Sequence, residues 1–214
     1  ANRGYAVLQV NYRGSSGRGY TFMKAGYKQF GTGIQQDLID GVKWAIAQGY
    51  ADKNHVCVFG ASFGGYSALM APIRAPEMFK CAVDFAGISD YRILRDDEEL
   101  EYADNLNHFV FAQQIGEDDA TLKAISPLYH LDAFNVPVLI VHGEKDPRVP
   151  VKNAEVLRDA LQKSGKPYEW LVKPKELHGF YSEDNNTELL EHLQAFLDKY
   201  IGPDASATAG NSTN

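Results

Sequence analysis

Residues 55–66 read His55-Val-Cys-Val-Phe-Gly60-Ala-Ser62-Phe-Gly-Gly-Tyr66, and this stretch decides the fold. An apolar run ends at Phe59, a hydroxyl follows between Gly60 and Gly64, and a helix-compatible run continues until it must end before Pro76. Gly60-Ala-Ser-Phe-Gly64 fits G-x-S-x-G, the tight strand-to-helix turn that lifts a serine Oγ clear of a sheet. Its flanking positions must be glycine or very small for the turn to close. The competing reading is a helix start capped by serine, with glycines for close packing. A strand before and a helix after the serine favour the first.

The rest of the chain repeats the strand–helix alternation. Residues 5–12 (YAVLQVNY) form an apolar run bounded by glycines and read as a buried strand. Ile34, Leu38, Val42 and Ala45 share one face of a helix that stops near Gly49. Residues 80–86, 136–142 and 168–172 read as further strands, the second broken near its start by Pro137. A helix over 150–163 turns Ala154, Leu157 and Leu161 inward. A last helix carries Leu189, Leu193, Phe196 and Tyr200 on one face and starts at a capping box of Asn185 and Glu188. This alternation predicts an α/β fold, a mostly parallel sheet with helices on both faces. Ligands of such sheets bind at the carboxyl ends of strands, where Ser62 lies.

Composition narrows the function. A chain of 214 residues with 44% hydrophobic and 23% charged residues is long enough for one domain with a real core. The net charge of −7 argues against nucleic acid as a partner, and no apolar run approaches the length needed to cross a membrane. Residues 88–128 hold ten acids against three bases, so this segment alone accounts for the net charge, and it reads as a solvated acidic insertion within the domain. Cys57 and Cys81 both lie in strand-like runs without metal-ligand spacing. They read as buried free thiols, with a disulfide open if their strands are neighbours. Residues 202–214 are small and polar and are expected to be disordered. The chain opens at Ala1 without initiator methionine or signal peptide and enters a strand almost at once, which reads as a piece of something longer.

A serine hydroxyl needs a base, and the base an orienting acid; in hydrolases built on this turn the chain order is nucleophile, acid, histidine. His142-Gly-Glu-Lys-Asp146 follows the 136–142 strand, so Glu144 and Asp146 both qualify by position. Asp146 is preferred because Pro147 and Pro150 fix its loop. Of six histidines, His178 follows the 168–172 strand and precedes the last helix, which places it at the same sheet edge. His142 ends a strand and reads as structural; His55, His108, His130 and His192 lie elsewhere. Ser62, Asp146 and His178 each follow their own strand.

Asn11-Tyr-Arg-Gly-Ser15, Gly60-Ala-Ser-Phe-Gly-Gly65, Ser126-Pro127, His142-Gly-Glu-Lys-Asp-Pro-Arg-Val-Pro150 and His178-Gly179 together resemble the catalytic domain of the prolyl oligopeptidase family of serine peptidases, its acylaminoacyl-peptidase-like branch in particular. The resemblance covers residues 1–201 and implies an α/β-hydrolase fold lacking its first strands. It implies Ser62 as nucleophile, Asp146 as orienting acid, His178 as general base and the Phe63 N–H as an oxyanion donor. Arg148 would bind the carbonyl of the residue preceding P1, and Val149 and Tyr91 would line the P1 pocket. Where the dipeptidyl-peptidase branch has further aromatics, this chain reads Arg92-Ile-Leu-Arg-Asp-Asp97, which speaks against a proline-specific pocket. The expected substrate is a short peptide, and no metal or organic cofactor is required. A carboxylesterase-type hydrolase and a catalytically incompetent fragment of a larger peptidase are the alternatives. The family's second oxyanion donor, the strand that carries it and the gating β-propeller would all lie upstream. Without that strand a gap is expected in the sheet between the 5–12 and 55–59 runs.

Overall fold

The run 138–143 (VLIVHG) is buried at every position, as a strand of a parallel sheet covered on both faces must be. In the computed structural model, which describes residues 3–97, 111–203 and 205, it forms β3 (Val138–Gly143). Its neighbours are β2 (Cys81–Phe85) and β4 (Tyr168–Lys173), and β1 (Cys57–Ala61) lies beyond β2. All pairs are parallel, in the order β1-β2-β3-β4. Among the described residues the α-helices are α1 (Tyr20–Lys24), α2 (Gln35–Ala47), α3 (Phe63–Arg74), α4 (Tyr91–Asp96), α5 (Asp119–Ile125), α6 (Lys152–Lys163) and α7 (Glu183–Ile201).

Period-two alternation splits the core between two faces. Val138 and Ile140 pack with Leu69 of α3 and with Ala154, Leu157 and Leu161 of α6. Leu139 and Val141 pack the other way, with Leu189 and Phe196 of α7. A third cluster, at the strands' carboxyl end, joins Tyr66 and Met70 of α3 to Ile88, Tyr91, Phe111, Ile115, Leu122 and Val149. Five of those eight residues come from the 88–128 segment. Its described parts are therefore core on one side and charged on the other, so the expectation of a solvated segment does not hold for them. Residues 98–110, with four of its ten acids, lie outside the described residues, as do 204 and 206–214 of the expected disordered tail.

Three local expectations need correction. Residues 5–12 are not a strand: they run without sheet pairing, and Val7 and Leu8 are exposed. A strand pattern is satisfied only by a neighbour, and among the described residues β1 is paired on one edge only; its Phe59 stands 53% exposed. The last helix is capped by Ser182, whose side chain accepts from Asn185 N, and Glu188 pairs with Lys173 instead of closing a box. Finally, Cys57 and Cys81 are joined in a disulfide. They are register partners on adjacent strands with Cα atoms 4.7 Å apart, inside the span a disulfide can bridge.

Asp84, in the middle of β2, is a fully buried carboxyl whose Oδ1 has no hydrogen-bond partner. Burial pushes it up to about 6, against the opposing influence of His142 and the Gly87 N–H. Between about pH 4 and pH 6 the folded chain keeps a proton that the unfolded chain has released, so stability falls as pH rises through that window. Above it, the buried charge costs on the order of 3 kcal/mol. Asp84→Asn is accordingly expected to raise the unfolding free energy near pH 7.5 and to lose that gain by pH 4. Denaturant melts at the two pH values check this, and an equal effect at both would refute a titrating Asp84.

Candidate active site

Ser62 lies between β1 and α3 with φ 57° and ψ −121°, a conformation side chains rarely adopt. Two backbone hydrogen bonds hold it there: Ser62 N–H donates to the Phe85 carbonyl at 2.8 Å, and Tyr66 N–H donates to the Ser62 carbonyl at 3.1 Å. The glycines make the turn sterically possible. A Cβ on Gly60 would overlap the Gly64 carbonyl, and one on Gly65 would overlap the Asp84 carboxyl and Gly87. The serine hydroxyl does not cap α3. The helix-cap reading is thereby excluded, and the hydroxyl is left uncommitted at the first turn of a helix. Phe63 is the first residue of that helix, so its N–H is one of the donors that a helix start leaves without an intrahelical partner.

Asp146 follows β3. Its carboxylate has no solvent exposure and is saturated with donors. Oδ1 accepts the backbone N–H groups of Arg148 (2.8 Å) and Val149 (2.9 Å). Oδ2 accepts from His178 Nδ1 at 2.7 Å and lies 3.3 Å from His142 Nε2. Burial alone would raise this carboxyl. The hydrogen bonds from His142, His178, Val149 and Arg148 more than reverse that and hold it well below the usual carboxylate range. Because a carboxylate only accepts, His178 Nδ1 carries a proton and Nε2 is left with the lone pair a general base needs. Glu144, the other carboxylate of that loop, is exposed and is not the acid that meets His178.

The loops bearing the two residues are tied together through their backbones. Glu144 N–H donates to Lys173 O at 3.0 Å and Lys145 N–H to Glu176 O at 2.9 Å. A Cβ on Gly143 would overlap the carbonyls of Glu176 and Leu177, so only glycine lets the loops approach this closely. The histidine loop has a staple of its own. The buried Glu176 carboxylate accepts from Tyr181 N (2.6 Å), Ser182 N (3.0 Å) and Asn185 Nδ2 (2.6 Å). Sequence reasoning passed over Glu176; its place two residues before His178, in a loop with few other acceptors, was the available signal.

Of the residues expected to bind substrate, Val149 (3% exposed) and Tyr91 (1%) meet in the cluster that also holds Tyr66, with Phe63, next to Ser62 in the chain, packed against it. Arg148 is exposed. The hydroxyls of Tyr66 and Tyr91 are buried there without a hydrogen-bond partner. The remaining described histidines are occupied away from this edge: His55 with Asp52, His130 with the Ala124 carbonyl, His192 with Glu169. His108 lies outside the described residues. Among the described residues no group of three or more His, Cys, Asp or Glu is placed to hold a metal ion, and no helix is long and apolar enough to cross a membrane.

A parallel sheet carrying a strained serine after one strand, and a hydrogen-bonded acid–histidine pair after two others, defines a hydrolase of the α/β type. Comparison with known proteins makes this specific. The model of the prolyl oligopeptidase family matches residues 1–204, and the chain belongs to that family. It is 35% identical to dipeptidyl peptidase family member 6 of Caenorhabditis elegans, over 94% of this chain and 28% of the relative. It is likewise 35% identical to dipeptidyl aminopeptidase BIII of Pseudoxanthomonas mexicana, over 94% of this chain and 30% of that protein. Among solved structures, a puromycin-hydrolyzing peptidase of Mycobacterium tuberculosis superposes with a TM-score of 0.83 at 30% identity, over 90% of this chain and 29% of the other. The acylaminoacyl peptidase of Pyrococcus horikoshii shares the fold with a TM-score of 0.81 at 20% identity, over 90% of this chain and 32% of that one. The chain thus spans about 30% of the length of the relatives it matches.

Glu176→Ala would leave three donors without their shared acceptor and release the histidine loop. The expected cost is on the order of 2 kcal/mol in stability and about tenfold in turnover, with KM little changed. Steady-state kinetics beside a thermal melt check this; a stability loss with unchanged turnover would show that the staple does not position His178.

Proposed function

We propose that the chain is the catalytic part of a serine-type peptidase that hydrolyses peptide bonds of short peptides through an acyl-enzyme on Ser62. The observation that carries this is the pairing of two geometries: a serine forced to φ 57° at a strand end, and a histidine whose Nδ1–H is held by a buried carboxylate at 2.7 Å. His178 Nε2 takes the Ser62 Oγ proton as the oxygen attacks the carbonyl carbon, then returns it to the leaving amine; water resolves the ester by the same route in reverse. Asp146 holds the imidazole in the required tautomer and stabilises the imidazolium that forms. The Phe63 N–H donates to the developing oxyanion.

Val149 and Tyr91 form the wall that receives the P1 side chain, and Arg148 holds the carbonyl of the preceding residue. The relatives support a peptide as substrate, since they carry names such as dipeptidyl aminopeptidase and acylamino-acid-releasing enzyme. The whole protein includes an upstream strand that pairs with the open edge of β1 and brings the second oxyanion donor, together with a β-propeller. The exposed Phe59 and the unpaired 5–12 run support the upstream strand, and the chain's span of about 30% of its relatives leaves room for a further domain. Loss of one such donor costs about 10²–10³ in kcat, so the 214-residue chain by itself is expected to react slowly.

The test is a fluorophosphonate probe with peptide mapping, on this chain and on a form extended upstream. Labelling is expected at Ser62, abolished by Ser62→Ala, reduced at least about a thousandfold by His178→Ala, and faster in the extended form. Turnover of peptide anilides above that of nitrophenyl esters of the same acyl group is expected of a peptidase. Efficient ester turnover alone would favour a carboxylesterase, and no labelling of the extended, folded form would overturn the proposal.

A further inference from the structure

His142 is fully buried at the end of β3, on the sheet face shared with Val138 and Ile140, and the reaction described above makes no use of it. Its Nε2 lies 2.9 Å from the Val149 carbonyl. A carbonyl only accepts, so Nε2 carries a proton. The same Nε2 is 3.3 Å from Asp146 Oδ2, the oxygen that receives His178 Nδ1. That oxygen therefore sits between two imidazoles, one exposed enough to turn over protons and one sealed in the core. The other ring nitrogen of His142, Nδ1, is buried with no hydrogen-bond partner. No hydrogen-bond acceptor meets Nδ1, so the geometry places the donor hydrogen that the ring uses on Nε2. His142 is thus a fixed donor.

What this donor joins matters. Asp146 orients His178, while Val149, three residues on, belongs to the buried cluster with Tyr66 and Tyr91. The backbone between them turns back on the carboxylate, with Arg148 N–H and Val149 N–H on Oδ1. Those two bonds fix the loop to one carboxylate oxygen. Nothing in that loop's own backbone fixes the other oxygen or the direction of the Val149 carbonyl.

We propose that His142 is a positioning residue of this site: one buried N–H, shared between Asp146 Oδ2 and the Val149 carbonyl, sets the orientation of the acid that aligns His178 and, at the same time, the wall of the P1 pocket. The claim rests on the triad reading given under Proposed function. It assigns His142 an effect on chemistry and on substrate binding together, where a packing residue would affect stability alone.

Glutamine and asparagine separate these roles. Gln Nε2 is as many bonds from the backbone as His Nε2, whereas Asn Nδ2 falls one bond short; leucine fills the volume with no donor. In the full-length protein, His142→Leu and His142→Asn are expected to lower the rate of fluorophosphonate labelling at Ser62, and kcat/KM, about 10- to 100-fold, the loss of one hydrogen bond to a charged group. KM for substrates differing at P1 should shift as well. His142→Gln is expected to recover most of both losses. If Leu and Asn variants that stay folded by thermal melt label at the wild-type rate, the proposal is wrong. It is equally wrong if Gln is as impaired as Leu. Should the wild-type protein not label at Ser62, the peptidase reading fails separately, and nitrogen-15 spectra of the histidines decide the present claim. A neutral Nε2–H ring for His142, with the His178 Nδ1–H signal displaced in His142→Leu but not in His142→Gln, supports it. A different tautomer, or an unmoved His178 signal, overturns it.

Discussion

Everything at this sheet edge depends on one forced backbone conformation, that of Ser62. Holding an L-residue at φ 57° and ψ −121° costs on the order of 1–3 kcal/mol and persists only where the surroundings over-determine it. Here they do so from both sides. Strand β1 is locked to β2 residue by residue from Cys57–Cys81 to Ala61–Phe85, and the Phe85 carbonyl takes the Ser62 N–H. On the other side α3 is buried along nearly its whole length, from Gly65 to Pro72. The turn cannot relax without unpairing a strand or lifting a helix from the core. This explains the glycine at position 60, where even a methyl group would collide with the Gly64 carbonyl.

The same economy of space governs the charge. A carboxylate with no solvent exposure is costly unless every lone pair is used. Asp146 meets that condition with two backbone and two imidazole donors. Asp84, also buried and in the next strand, does not: it has an unpaired oxygen, and its carboxyl is pushed towards the neutral form. Two acids close in the fold are thus driven in opposite directions by the number of N–H groups that reach them. Burial is common to both.

How much of this was legible in the sequence follows from how local each cause is. Strand–helix alternation, the elbow and the nucleophile–acid–histidine order are local patterns, and β1 to β4 lie within a residue or two of where hydrophobic periodicity puts them. The disulfide was left open because it depends on which strands are neighbours, and periodicity carries no strand order. The 5–12 run failed as a strand for a related reason: its pattern is right, yet pairing is a property of two segments. The cap of α7 was misplaced because 182–187 offers Ser, Asp, Asn and Thr in succession. The choice of Ser182 is made by Glu176, whose carboxylate grips the 181–182 backbone from outside the helix. For His142, position alone gave a strand-end histidine. Its second contact appears only when the chain turns back over Gly143 and brings a residue four positions on against the ring.

The exposed side of β1 connects folding to chemistry. Strands of parallel sheets are ordinarily covered on both faces and paired on both edges, and an open edge with a large apolar side chain is a liability in solution. Here that edge belongs to the strand that leads into Ser62. An element that completed it would cover Phe59, give the 5–12 run a neighbour, and add rigidity to the one strand whose end must sustain strain. The proposed upstream strand, which would also bring the second oxyanion donor, does all of this at a single place. Stability of the elbow and stabilisation of the transition state would then come from the same segment. A site built this way would be slow until its sheet is complete.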